Sequence, residues 1–352
     1  MNDLSFPTFR ALEDYKSQQL QLLIWMFEHL SHEVMSKSMI ETFGEEGFYD
    51  QISFHQKMII AACDFNSKTL LYDYLRWRYT MCMSRGINPN YFLLEYKFWI
   101  QGIQTHLFDG FALEFVFLYR SVISHHDALI HDHHVALSDE TLSDETVDRL
   151  VNTLLEPDES ETSKIFAEKL YAFGSPNDFF DRIVKPAMIE IGRLWESNRI
   201  SVAKEHVATA MIEHLWNRFS EVSDNASAYR TAFVITPDAQ LHKLGSKMVA
   251  KVLSKRGWRV AHFGLEENFK ELYNGIVEFN PQLIVLSATM AIYIPLFQQL
   301  INALKSEECI YEGKIAVGGQ AFYRTIPPIV LKKADFQGET LSEFEQFLDT
   351  FG

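Results

Sequence analysis

The sequence predicts an N-terminal helical domain, then a four-helix bundle, then a doubly wound parallel-sheet α/β domain. Three observations predict it. Over residues 1–135 the apolar positions recur at helical spacing. Between 147 and 222 four further helical stretches follow one another across short joints. From Arg230 onward short β-branched or apolar runs alternate with helical stretches of about 10 to 15 residues, the mark of βαβ units.

In the first block, Leu20, Leu23, Trp25, Met26, Phe27 and Leu30 fall near one helix face. Tyr72, Tyr74, Leu75, Trp77 and Tyr79 lie in a second helix that runs to Gly86, a stop signal followed by Pro89. A third helix covers Tyr91 to Leu107 and a fourth Ala112 to Ile123, giving four or five helices with no strand signal. The block closes on a histidine-rich run, His125, His126, His131, His133 and His134, read as a polar helix end, with metal binding as the alternative.

Residues 136–146 form an acidic linker in which Leu-Ser-Asp-Glu-Thr occurs twice in succession. From Asp139 to Lys164 there are nine acidic and two basic residues. Ser143 is the expected cap of the next helix, and acids suit a helix N-terminus. The bundle, 147–225, is built from helices expected at 144–155, 161–173, 176–197 and 201–222, with Gly174-Ser175-Pro176 as a stop and a start. In the last block, 230–352, strands are expected at 231–236, 259–263, 283–287 and 314–317.

At about 100 to 200 residues per domain, a chain of 352 residues suggests two or three domains, and 47% apolar content can build their cores. The 32 basic and 47 acidic residues leave a formal charge of −15, which argues against a general nucleic-acid binder. No apolar run is long enough to span a membrane, and the start, MNDLSF, lacks the features of a signal peptide. The three cysteines, Cys63, Cys82 and Cys309, fit a reduced, cytoplasmic protein.

In a doubly wound sheet the ligand lies beyond the C-terminal strand ends. Three features sit there: the loop Pro237 to Gly245, the run Ser287-Ala288-Thr289, and Gly318-Gly319. His242 is a candidate metal ligand through a neutral ring nitrogen. Gly245 and Gly318-Gly319, lacking a Cβ, let a ligand pass close to the backbone. Ser287 and Thr289 offer small hydroxyls. No G-x-G-x-x-G follows the first strand and no phosphate-binding G-x-x-x-x-G-K-[ST] is present.

Together, Gln240-Leu-His242-Lys-Leu244-Gly245, Ser287-Ala-Thr289 and Gly318-Gly319 resemble the signature of cobalamin (vitamin B12) binding domains, over about 230–352. The resemblance implies a Rossmann-like domain in which His242 ligates cobalt from below and the nucleotide tail enters a slot beside Ser287 and Gly318. Two positions depart from the pattern. Gln240 stands where the family carries a carboxylate, so it can orient the His without adding charge. Thr289 stands where it carries Leu. Upstream, Gly192-Arg-Leu-Trp195, Val202 and Glu205-His206 look like the four-helix cap that precedes many such domains. In light-sensing, gene-regulating members the Trp, Val and Glu enclose a 5′-deoxyadenosyl group, so the resemblance assigns Trp195, Val202 and Glu205 to that role, with His206 beside them. Glu196 stands where light-sensing repressors carry a second cobalt-ligating His, and a carboxylate is a poorer partner there.

What the resemblance implies is a photoreceptor or regulatory sensor that binds adenosylcobalamin and is not an enzyme. With no basic DNA-binding stretch in 1–135, it would act on a protein partner such as a transcription factor, with homo-oligomers as a further form. The alternative is a corrinoid subunit carrying methyl groups in a methyltransferase system.

Overall fold

The computed structural model describes residues 4–138, 144–156, 159–219, 230–237, 243–266, 268–307, 309, 311–323 and 328–351. The chain divides into two compact units, Met1–Thr141 with Glu196–Asn198, and the remainder from Leu142 to Gly352.

The first unit is helical, with no strand among its described residues: α1 Phe9–Ser17, α2 Gln19–Leu30, α3 Lys37–Asp64, α4 Lys68–Met83, α5 Asn90–His106, α6 Asp109–Ser124 and α7 His126–Ser138. That is more than the expected four or five. α3 was not legible because its 28 residues are broken at Gly44 (φ 75°, ψ 170°), which resets the apolar phase midway. The helices close on a core of large aromatic side chains with a fully buried polar centre. Arg78 donates to both Glu95 oxygens at 2.9 and 2.8 Å, and the Trp99 indole N–H donates to the same carboxylate at 3.2 Å. His55 lies 3.0 Å from the Tyr74 hydroxyl and 3.2 Å from that of Tyr119. Burial, with the Arg78 charge beside it, holds His55 well below its usual range and therefore neutral. The histidine-rich run is a helix whose His126 ring meets the Tyr79 hydroxyl at 2.8 Å. No cluster among the described residues could hold a metal ion.

The second unit begins with α8 Glu145–Leu155, whose cap is Asp144 rather than the expected Ser143, which lies outside the described residues; Asp144 Oδ1 accepts from the Thr146 N–H at 2.7 Å. α9 spans Glu159–Phe173. Gly174 (φ 67°) ends it, Ser175 caps α10, Pro176–Phe179, and Pro176 takes its first turn. The expected helix over 176–197 is not uniform: a π turn at Phe180–Val184 separates α10 from α11, Lys185–Glu196. α12 spans Val202–Phe219.

The α/β part holds β1 Arg230–Pro237, α13 Leu244–Lys255, β2 Trp258–Leu265, α14 Lys270–Phe279, β3 Leu283–Ser287, α15 Ile294–Leu304, β4 Lys314–Gly318, β5 Phe336–Gly338 and α16 Leu341–Leu348. All pairings are parallel, in the order β2-β1-β3-β4-β5. The four expected strands are present. β5 was missed because three residues without a β-branched side chain carry no period. Ala232, Val234, Leu283, Val285 and Ala316 share one core with Met248, Val252, Phe344 and Phe347, so α13 and α16 cover one sheet face. Bundle residues Ile183, Ile191, Ile212 and Trp216 belong to that same core. Polar bonds reinforce the junction. Asp181 accepts from the Leu341 and Ser342 N–H groups at 2.9 and 3.0 Å, at the N-terminus of α16. The Ser342 hydroxyl donates to Asp178 at 2.9 Å.

Among the described residues no helix is long and apolar enough to cross a membrane.

Candidate functional site

The switch point of the sheet lies between β1 and β3, where the chain turns from one direction of travel to the other. Parallel pairing brings the ends of β1, β3 and β4 side by side: Ile235 pairs with Leu286, and Ser287 with Gly318. The expected convergence of the strand-end residues is therefore seen for Ser287, Thr289, Gly318 and Gly319. Leu244 and Gly245 open α13 just beyond β1. Gln240 and His242 lie outside the described residues.

The glycines have separate reasons. Gly319 has φ 103°, and a Cβ there would stand 2.2 Å from the Ala288 carbonyl oxygen. The two loops lie backbone to backbone, with the Ala288 N–H donating to the Gly318 carbonyl at 3.1 Å and the Ala321 N–H to that of Ala288 at 3.1 Å. Gly319 is thus required by loop packing, a reason that the sequence reading, with its passing ligand, did not contain. A Cβ on Gly318 would meet the Gly338 carbonyl oxygen at 3.1 Å. Gly245 differs: among the described residues nothing lies within 4 Å of where its Cβ would be. Ser287 is buried. Thr289 is half-buried.

The bundle carries the other residues singled out in the sequence. Trp195 is half-buried in the last turn of α11. Val202 opens α12 at 52% exposure, and Glu205, one turn on, is buried at 6%. Glu205 Oε1 accepts the Thr209 hydroxyl at 2.9 Å, and the exposed His206 ring stands 3.4 Å from Oε2. Two contacts give the direction of α12. Lys247 Nζ donates to Glu213 Oε2 at 2.6 Å, and one turn along Lys251 Nζ donates to Asn217 Oδ1 at 3.3 Å. Both contacts advance together, so α12 runs parallel to α13. Glu205 precedes Glu213 by two helical turns, about 12 Å. It therefore lies beyond the level of the N-terminus of α13.

Thr209, the Lys247–Glu213 pair and Asp181 were not read from the sequence. The i,i+4 spacing of Glu205 and Thr209 was visible; the other two join residues far apart in the chain.

Two family models, each described as a B12 binding domain, match residues 146–217 and 230–341. The chain belongs to the B12-binding proteins. It is 22% identical over 186 residues to trimethylamine corrinoid protein 2 of Methanosarcina mazei, covering 50% of this chain and 83% of that one. To the HTH-type transcriptional repressor CarA of Myxococcus xanthus it is 26% identical over 113 residues, covering 32% of this chain and 38% of the repressor. The structure of the Methanosarcina barkeri monomethylamine corrinoid protein superposes with a TM-score of 0.47 at 18% identity, covering 59% of this chain and 99% of that one.

The residues of this B12-binding chain fit the cofactor. The strand-end edge offers a small polar side chain, Ser287, and a Cβ-free helix start at Gly245 with nothing within 4 Å of it among the described residues. A flat, amide-rimmed ring with a long tail needs such an edge.

Proposed function

We propose that this B12-binding protein is a light-responsive regulatory sensor that takes the cofactor as adenosylcobalamin. The cofactor would lie between the bundle, 147–225, and the α/β domain, 230–352. Residues 1–135 would present the output surface across the linker 136–146. The observation that supports this reading is the parallel run of α12 along α13, which carries α12 and the buried Glu205 beyond the level of the α13 N-terminus. A carboxylate held there suits a group with ribose hydroxyls and an amine better than it suits a methyl group.

Each residue has a part. His242 would hold cobalt from below, with Gln240 orienting its ring by a neutral hydrogen bond. Leu244 would border the start of the tail slot, and Gly245, Ser287, Thr289, Gly318 and Gly319 would receive the tail. Trp195 would cover the adenosyl group with its indole face, beside Val202 and His206. Bound adenosylcobalamin supplies a cobalt–carbon bond that visible light breaks. Loss of the adenosyl group would remove what Trp195 and Glu205 pack on and let the bundle shift against the sheet, the two-state element a switch requires. The signal would pass in the cytoplasm to a protein partner, such as a transcription factor, or through self-association, without direct DNA contact or chemistry on a substrate.

The test is an absorption spectrum of the full chain loaded with adenosylcobalamin, taken in darkness and after green light, with size-exclusion chromatography of both samples. The expected result is a changed cobalt spectrum with changed assembly or partner binding. A changed spectrum with neither overturns the switch.

A second reading, a corrinoid methyl carrier, is supported by the 83% coverage of the trimethylamine corrinoid protein. Trp195→Ala distinguishes the two: it should weaken adenosylcobalamin more than methylcobalamin in a sensor, and both equally in a carrier.

A further inference from the structure

The side that α6 turns to solvent is apolar where a surface helix is ordinarily polar. Its inner side, with Ala112, Phe115, Val116, Tyr119 and Val122, is buried in the first unit. On the outer side Leu113 is 54% and Phe117 64% exposed, one turn apart. Asp109 and Arg120 are exposed too, and all four lie within an arc of about 80° at 3.6 residues per turn. Two exposed rings border this face. Phe108 immediately precedes the helix. Phe9 follows Thr8, whose N–H donates to Glu114 Oε2 at 2.5 Å. Single apolar side chains on a surface need no explanation, whereas several gathered around one helix mark an interaction site.

The charges at the two ends of the face indicate what covers it. The acid lies toward the N-terminus of α6 and the base toward its C-terminus, and the midpoint of Asp109 and Arg120 falls within half a residue of the midpoint of Leu113 and Phe117. The two charges stand eleven residues, about 16 Å, apart along the axis and so do not meet on their own helix. A two-fold axis through the common midpoint sets a second α6 antiparallel on the first. It brings Leu113 to Phe117 and Asp109 to Arg120, each twice over, which is the self-complementarity that an isologous interface requires. The helix dipoles are opposed in the same arrangement. A parallel pairing would bring acid to acid and base to base.

We infer that the exposed face of α6 is a docking surface for a second copy of this chain, the two α6 helices pairing antiparallel through Leu113 and Phe117 with Asp109–Arg120 ion pairs at both ends. Gly110 and Ser124, which carry little bulk on the same side, let the second backbone come close. The pairing needs no cofactor, so it stands or falls apart from the sensor reading.

Sedimentation velocity of the full chain, free of cobalamin, over about a hundredfold range of concentration tests this. A reversible monomer–dimer equilibrium with a Kd on the order of 10 μM is expected, as suits a face one helix, about 24 Å, long. Phe117→Glu should weaken it about tenfold or more. Asp109→Arg alone and Arg120→Asp alone should each weaken it about three- to tenfold, since each brings like charges together at two places. Joined in one chain, the two reversals should restore it. Circular dichroism should be the same for all variants. A monomer at every concentration overturns the inference and leaves the face to a different protein. A dimer indifferent to Phe117→Glu overturns it by placing the interface elsewhere, and a doubly reversed chain that pairs no better than the single variants overturns the antiparallel register.

Discussion

Thr209 donates its hydroxyl to Glu205 Oε1 at 2.9 Å, one turn along the same helix, while His206 stands 3.4 Å from the other oxygen. The carboxylate is thereby oriented before any ligand arrives. Thr209→Val should loosen it and weaken adenosylcobalamin by about 3- to 10-fold, the worth of one hydrogen bond to a charged group. Methylcobalamin should be almost unaffected, and Thr209→Ser should restore the difference. Spectral titration with both cobalamins checks this; equal losses for the two would remove Thr209 from any role toward the adenosyl group.

The cobalt ligand has its own test. His242→Ala should lower affinity for every cobalamin and remove the spectrum of imidazole-ligated cobalt, whichever upper group is present. Unchanged spectra in that variant would locate the lower ligand elsewhere.

Gly319 and Gly245 should respond in opposite ways. Gly319→Ala must fit a Cβ at φ 103° against the Ala288 carbonyl, at a cost of about 1–3 kcal/mol or more in urea unfolding. Gly245→Ala meets nothing within 4 Å among the described residues and should leave stability unchanged or slightly raised. A lowered cobalamin affinity in Gly245→Ala alone would mark the path of the ligand.

Asp181 joins the bundle to the α/β part by accepting from two amides at the start of α16. Asp181→Ala should leave those donors without their acceptor and destabilise the second unit by about 1–3 kcal/mol. Thermal unfolding followed by near-ultraviolet circular dichroism would register it; an unchanged midpoint would mean that water replaces the carboxylate without loss.

His55 makes the stability of the first unit pH-dependent. Burial lowers its folded pKa well below the unfolded value of 6.5. Between the two values the unfolded chain binds the proton that the folded chain refuses. The contribution of His55 is thus fully present above about 6.5 and is lost as pH falls below it. Urea unfolding at pH 7.5 and at pH 5.5 should show the decline, and His55→Gln should flatten it. An equal slope in wild type and variant would assign the effect to other groups.

Much of the α/β part was legible because parallel strands and their crossovers leave local traces: an apolar run for each buried strand and a helical period between. Those traces, with the single edge that a parallel sheet creates, were enough to bring Ser287 and Gly318 together before any coordinates. The helices at Phe9, Lys37 and His126 were less visible. In α3 the Gly44 break disturbs the period, and in α7 four histidines obscure it.

By itself, the sequence determined the order of helical and parallel-strand segments and the residues that strand ends carry to one edge, since both follow from spacing along the chain. The tertiary structure decided why Gly319 must be glycine, how α12 is phased against α13, what the Glu205 carboxylate meets, and that Arg78 and Glu95 pair out of water. Each of these depends on the distance or angle between particular groups once the chain has folded, and neither composition nor periodicity encodes such a quantity.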